Sequence, residues 1–357
     1  MRLGVVIDYA DDFATAVGQV RDAERLGVEL ISVAEAYSFD AVSRLGFLAA
    51  VTERVALSSM ILPVFSRTPT TIGMTAAGLD DVSGGRFELG IGASGAQVVE
   101  GFHGVPFTAP LTRVRETVEV CRMLWRREPV ELDGGQVRIP LRAGQGTGLG
   151  KPLRLVNRPR RARIPIAIAA LTPRAVAQAA EIAEGWIPIF FHPELAGRAW
   201  GEALAAGRGA RDPDLGPLDV QVTMPLLAGD DDVAAAAGLA AHRNRLALYI
   251  GGMGARGANF YAELVARYGF ADEAAVVQDR YLAGDKVGAA QAVPDDLVRS
   301  TALIGDAGHV RERLRVLAAA GVTTLSVQPL ASTPTARLEQ LEAIRGLLDE
   351  RARPGDR

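Results

Sequence analysis

Eight short apolar runs alternating with helical patterns predict a single (β/α)₈ barrel spanning residues 1–350. Two features of those runs carry the expectation. They are almost continuously apolar, as strands of a parallel sheet buried on both faces must be. The first runs into Asp8-Tyr9-Ala10 with no Gly-x-Gly-x-x-Gly turn, where an open doubly wound sheet would place its phosphate-binding glycines. A barrel fits within 357 residues without dividing, and a 48% hydrophobic content is enough to bury its core.

The elements follow in order. A strand over 3–7 is followed by a helix through Ala16, Val20, Ala23 and Leu26 that stops at Gly27, where a left-handed turn needs no Cβ. The second strand covers 30–34, and its helix runs through Leu45, Leu48, Ala49 and Val51. The third strand covers 55–62. The next helix opens on Pro69 and ends at Val82, before the Ser83-Gly84-Gly85-Arg86 turn into a fourth strand at 87–91. Strands at 164–169, 186–190, 220–227 and 324–327 complete the eight. Two stretches break the rhythm. Residues 130–140, centred on Asp133-Gly134-Gly135, predict a hairpin, with an exposed loop over 143–163, as an insertion after the fourth helix. Residues 233–292 are too long for one crossover and predict several helices over the barrel mouth. The tail 351–357 is expected to fray.

A net charge of −3 supplies no field to gather nucleic acid or anionic lipid, so neither is expected as a partner. The start, Met1-Arg2-Leu3, lacks the pattern of a signal peptide, and the expected location is cytoplasmic. The single Cys121 lies among apolar residues and reads as buried and structural. His192, His242 and His309 show no ligand spacing, so no metal is expected.

In a barrel the carboxyl ends of the strands face one mouth. Those ends carry Glu35-Ala36-Tyr37, Ser58-Ser59-Met60, Gly92-Ala93-Ser94-Gly95 and Ala169-Ala170-Leu171-Thr172. Glu35 reads either as a cofactor acceptor or proton carrier, or as a helix cap. Small residues at 92–95 suit the approach of a flat ring, and Thr172-Pro173 opens a helix whose first amides can hold a phosphate or serve an ordinary cap. Glu100 and His103 share a loop beside apolar side chains, an arrangement suited to proton transfer.

Taken together, the segments 54–63 (RVALSSMILP), 79–92 (LDDVSGGRFELGIG), 94–107 (SGAQVVEGFHGVPF), Gly251-Gly252-Met253-Gly254 with Asn259-Phe260, and 320–324 (AGVTT) resemble the luciferase-like monooxygenase superfamily. The resemblance is to its branch that uses the deazaflavin coenzyme F420, and it covers nearly the whole chain. It implies a cofactor ring backed by a non-prolyl cis peptide on the third strand, at Ser59-Met60, and a cofactor phosphate held around Ala170, Leu171 and Thr172. It also implies a soluble homodimer acting on a small-molecule substrate. The sequence departs from members acting on sugar phosphates or alcohols, whose histidine and glutamate correspond here to Ala36 and Gly95. With only Lys151 and Lys286 as lysines, a sugar phosphate is disfavoured.

The expected reaction is hydride transfer between F420 and an organic substrate, with Glu35, Tyr37, Glu100 and His103 as candidates to polarise the substrate or move a proton. Ser58, Ser59, Met60, Gly92, Ala93, Ser94, Gly95 and 169–172 are the expected cofactor-binding set. Two alternatives stand beside it: an FMN monooxygenase using dioxygen, and a cofactor-binding protein without catalysis. The helices around Gly251 and Phe260 could border a groove for the anionic tail of F420.

Overall fold

A computed structural model of the chain describes residues 1–7 and 12–352; Asp8-Tyr9-Ala10 and the tail from 353 lie outside the described residues, while the final helix runs Pro334–Ala352. The wall consists of β1 (Arg2–Ile7), β2 (Leu30–Val33), β3 (Ala56–Ser59), β4 (Phe87–Gly92), β5 (Ile166–Ala169), β6 (Gly185–Ile187), β7 (Asp219–Ala228) and β8 (Thr324–Pro329). Each pairs in parallel with the next, and β8 returns to β1 through Arg2↔Thr324, so the barrel closes. The helices start where side chains can take up their free amides. Asp12, Asp40, Thr68 and Thr172 accept from the amides of Thr15, Ser43, Thr71 and Ala175. Gly27 stops the first helix at φ 80°, and Gly84 and Gly85 turn the third at φ 73° and 91°.

Which side of the wall is inside follows from one ion pair. Arg2 on β1 meets Glu88 on β4 at 2.7 Å, three strands away, a reach possible only across the interior. Register then carries the inward row upward through Gly4, Ser32, Ser58, Gly90, Ala167, Thr223 and Ser326. The interior is therefore lined by small and hydroxyl side chains, and the apolar core, with Leu3, Ile31, Leu57, Leu89 and Ile166 at 0–1% exposure, lies between wall and helices. Cys121 belongs to that layer, and burial pushes its thiol up to about 12.

The structure departs from the sequence reading at four places. The expected strand 55–62 is two pieces, β3 and Leu62–Pro63, because Met60 N still reaches Val33 O at 2.8 Å whereas Leu62 pairs with Ile91 on the other neighbour. The cis peptide accordingly lies at Met60-Ile61, between the two ladders, and not at Ser59-Met60. The sixth strand ends at Ile187, since Pro188 has no amide for the ladder. A short strand, Leu303–Gly305, extends the sheet beside the end of β7.

Both insertions are present. The hairpin pairs Leu132–Asp133 with Arg138–Ile139, and no regular element occupies the following loop. The long stretch folds as helices Asp232–Gly252, Phe260–Tyr268, Ala271–Leu282, Lys286–Gln291 and Asp295–Ser300. Gly251 and Gly252 face the Tyr281 ring, where a Cβ would lie 2.3 and 2.6 Å from its atoms, so this pair serves close helix packing. Among the described residues, no helix is long and apolar enough to cross a membrane.

Candidate active site at the barrel mouth

The floor of the mouth is a shelf made by β3 and β4. Ser59 Oγ donates to Gly90 O at 2.9 Å and accepts from Gly90 N at 3.0 Å, replacing a ladder rung. A Cβ on Gly90 would lie 1.9 Å from Ser59 O, so only glycine permits this approach. Ser58 Oγ donates to Ser59 O at 3.1 Å. Both serines are sealed inside the wall, and what they present to the mouth is the backbone they hold. Met60 tops the shelf, partly exposed, and its sulfur accepts from Thr223 Oγ1 across the barrel at 3.5 Å. Gly92 has Ile61 Cδ1 3.0 Å and Ala169 Cβ 3.2 Å from its missing Cβ, so the surface beside Met60 is flat and closely fitted. Ala93, Ser94 and Gly95 continue from it, with Ser94 left-handed at φ 63°.

The start of the helix Pro173–Ile182 forms the second corner. Thr172 Oγ1 accepts from Ala175 N, Thr172 O accepts from Val176 N and Pro173 has no N–H, which leaves Arg174 N as the one first-turn amide without an acceptor among the described residues. Leu171 O takes hydrogen bonds from Trp200 Nε1 at 2.8 Å and Arg267 Nη2 at 2.9 Å, and Ala170 O takes one from Trp186 Nε1 at 3.0 Å. Arg267 Nε is buried with no partner among the described residues, a state costing about 1–3 kcal/mol unless something accepts from it. Burial also holds this guanidinium below its usual pKa.

The four candidate proton carriers do not form one hydrogen-bonded group among the described residues. Glu35 is committed: its carboxylate pairs with Arg67 and accepts at 2.9 Å from Ala41 N, the first amide of the helix Ala41–Val51. Tyr37, 59% exposed, lies 6.3 Å from the Phe102 ring, which in turn lies 5.2 Å edge-on to His103. His103 Nε2 is buried without a partner among the described residues. Glu100 lies not in a loop, as the sequence suggests, but on the short helix Ala96–Gly101, and its Oε1 accepts from Phe107 N at 3.1 Å, closing the loop that follows. Tyr37 and His103 thus share one edge of the mouth through Phe102, Glu35 braces the rim through Arg67, and Glu100 braces the loop.

The sequence reading missed residues that the helical insertion brings to the opposite edge. Arg245 Nη1 donates to Gln328 Oε1 at 3.0 Å, on the inward row of β8, and lies 5.8 Å over the Tyr249 ring. Phe190, Tyr249 and Tyr261 pack edge to face with centroids 4.8–6.2 Å apart. His242, one turn before Arg245, has Nε2 2.8 Å from Thr301 Oγ1; that hydroxyl donates to Leu297 O, so Nε2 carries the proton. Burial pushes this imidazole down to about 4. Only the spacing of His242, Arg245 and Tyr249 on one helical face hinted at this grouping.

A family model described as luciferase-like monooxygenase matches residues 1–324. The chain belongs to the luciferase-like monooxygenase family. A relative from Mycobacterium tuberculosis, provisionally named a coenzyme F420-dependent oxidoreductase, is 40% identical over 332 residues, covering 92% of this chain and 94% of its own. The 5,10-methylenetetrahydromethanopterin reductase of Archaeoglobus fulgidus is 27% identical over 325 residues, covering 88% of each. Among solved structures, the coenzyme F420-dependent tetrahydromethanopterin reductase of Methanopyrus kandleri superposes with a TM-score of 0.79 at 21% identity over 99% of both chains. An F420-dependent secondary alcohol dehydrogenase, solved with an F420-acetone adduct, gives 0.75 at 16% identity over 97% of this chain and 98% of its own. At these identities the two structures show the shared barrel fold.

Proposed function

We propose that this luciferase-like protein is an F420-dependent oxidoreductase that transfers a hydride between the deazaflavin ring and a small organic substrate held at the barrel mouth. The observation that carries the reading is Arg267 Nε, without a partner among the described residues, beside the Arg174 amide at the start of the Pro173–Ile182 helix. A buried donor set at a helix start fits an anionic phosphate, and it stands beside a flat shelf at Met60 and Gly92 that fits a planar ring. The 40% identity to a relative named for F420 supports the same cofactor.

F420, when bound, supplies a carbon that accepts or delivers hydride. The protein's residues supply the rest. Ser59 and Gly90 hold the shelf rigid, Arg267 and the Thr172 corner anchor the anion, and Met60 and Thr223 keep the floor closed beneath the ring. His103 or Tyr37, on the open edge, moves the accompanying proton, and the Arg67–Glu35 pair fixes that rim.

Titration of the purified protein with F420 and with FMN, followed by cofactor fluorescence, tests the cofactor. Saturable F420 binding, weakened at least tenfold in Arg267→Met with FMN bound poorly by both proteins, is the expected result. Binding of FMN alone overturns the reading in favour of oxygen-dependent chemistry, and stoichiometric F420 binding without turnover on any hydride donor or acceptor would favour a carrier.

A further inference from the structure

The two sides of the mouth differ in how their arginines are matched. Arg67 is paired with Glu35, and Arg267 belongs to the helix-start corner. Arg245 has no carboxylate within ion-pair distance among the described residues. Among the described residues its one hydrogen bond, from Nη1 to Gln328, uses one side of the guanidinium and leaves the Nε–Nη2 edge without a protein partner. That edge is not sealed from solvent. The side chain is also held in place, by Gln328 at one end and by the Tyr249 face beneath it.

We propose that Arg245 is the receptor for the anionic group of the substrate, and that the substrate is a carboxylate with an apolar, ring-bearing body. This rests on the oxidoreductase reading and names its substrate class. A free Nε–Nη2 edge presents two parallel N–H donors, the geometry a carboxylate accepts side-on. Phosphate dianions are served better by a second cation, and neither lysine stands beside Arg245, Lys286 lying instead over the Tyr281 ring. The apolar body follows from Tyr249, whose ring adjoins the guanidinium and packs edge to face against Phe190 and Tyr261.

Position separates this group from the carboxylates on the cofactor's own tail. Gln328 pairs in register with Pro225, two residues above Thr223, and Thr223 touches Met60. Arg245 therefore acts about 7 Å along the strand direction above the shelf, close to where the ring reacts. The cofactor's tail would leave from the phosphate corner at Leu171, just past the end of β5, and not from the β8 side.

The test is calorimetric titration of the F420-loaded protein with benzoate, phenylacetate and hexanoate, each beside its neutral amide, together with F420 titration of the same variants. At least one carboxylate should bind tenfold or more tightly than its amide. Arg245→Gln should abolish that preference while leaving F420 affinity within twofold, and Arg245→Lys should recover part of it. Absence of carboxylate binding in the wild type, equal binding of acid and amide, or an unchanged preference in Arg245→Gln overturns the assignment. A matching loss of F420 affinity in Arg245→Gln also overturns it and assigns the edge to the cofactor tail. Should F420 fail to bind the wild type while the unloaded protein shows the Arg245-dependent preference, the anion receptor stands and the cofactor reading falls.

Discussion

At the scale of single residues, His242 makes a pH prediction whose sign is fixed by its surroundings. The ring is buried against Phe190, beside the Arg245 charge, and both burial and that charge disfavour its protonation. An unfolded chain binds the proton near pH 6.5, whereas the folded one resists it until about 4. The unfolded state therefore holds more protons between these values, and stability rises with pH across that window. The contribution is fully present above pH 6.5 and is lost as pH falls toward 4, an effect on the order of 3 kcal/mol. Chemical denaturation of wild type and His242→Gln between pH 4 and 7 checks this. The variant keeps a donor for Thr301 and should lose much of the slope; equal slopes would place the acid sensitivity elsewhere.

At the scale of elements, the hairpin after the fourth barrel helix shows what one buried carboxylate can hold. Glu116, on the helix Pro110–Trp125, is 6% exposed and accepts from the amides of Gly135, Gln136 and Val137 at 2.6, 3.0 and 2.6 Å. A Cβ on Gly134 would lie 2.5 Å from this carboxylate, so the turn must be glycine. Glu116→Ala strands three amides and should cost about 2–3 kcal/mol, with the hairpin cut sooner by protease than the barrel. Limited proteolysis followed by mass spectrometry reads this directly, and unchanged cleavage would show that the hairpin is held by its apolar contacts. The hairpin was legible in the sequence because Asp133-Gly134-Gly135 is local turn chemistry, as was the helix Pro69–Val82, bounded by Pro69 and the glycines after Ser83. The break between β3 and Leu62–Pro63 was not, because it is set by Ser59 meeting Gly90, 31 residues away, while the run itself stays apolar. Arg245 and Arg267 were equally hidden, since arginine on a helix ordinarily marks a solvated face and nothing local says which helix folds over the mouth.

At the scale of the whole molecule, the question is whether the helical layer over the mouth and the barrel melt as one. Their joints are polar and numerous: Tyr268 Oη donates to Phe190 O at 2.9 Å and accepts from His192 N at 3.2 Å, and His192 lies 3.2 Å from both Glu194 and Asp296. Arg267 reaches Leu171, and Arg245 reaches Gln328. Burial keeps the Tyr268 hydroxyl well above its usual pKa, so it remains a donor throughout the range in which the fold survives. Such joints tie the helices to the ends of β5, β6 and β8, and peeling the layer away would strand donors and acceptors in the wall. A single calorimetric transition, coincident by far-ultraviolet and aromatic circular dichroism, is therefore expected. F420 at one hundred times its dissociation constant should add about 2.7 kcal/mol to that one transition, because its proposed contacts at Met60 and Arg267 come from the barrel and the helical layer at once. Two transitions, with F420 raising only one, would mean that the helices over the mouth fold as a separate unit and that the site is completed only when they dock.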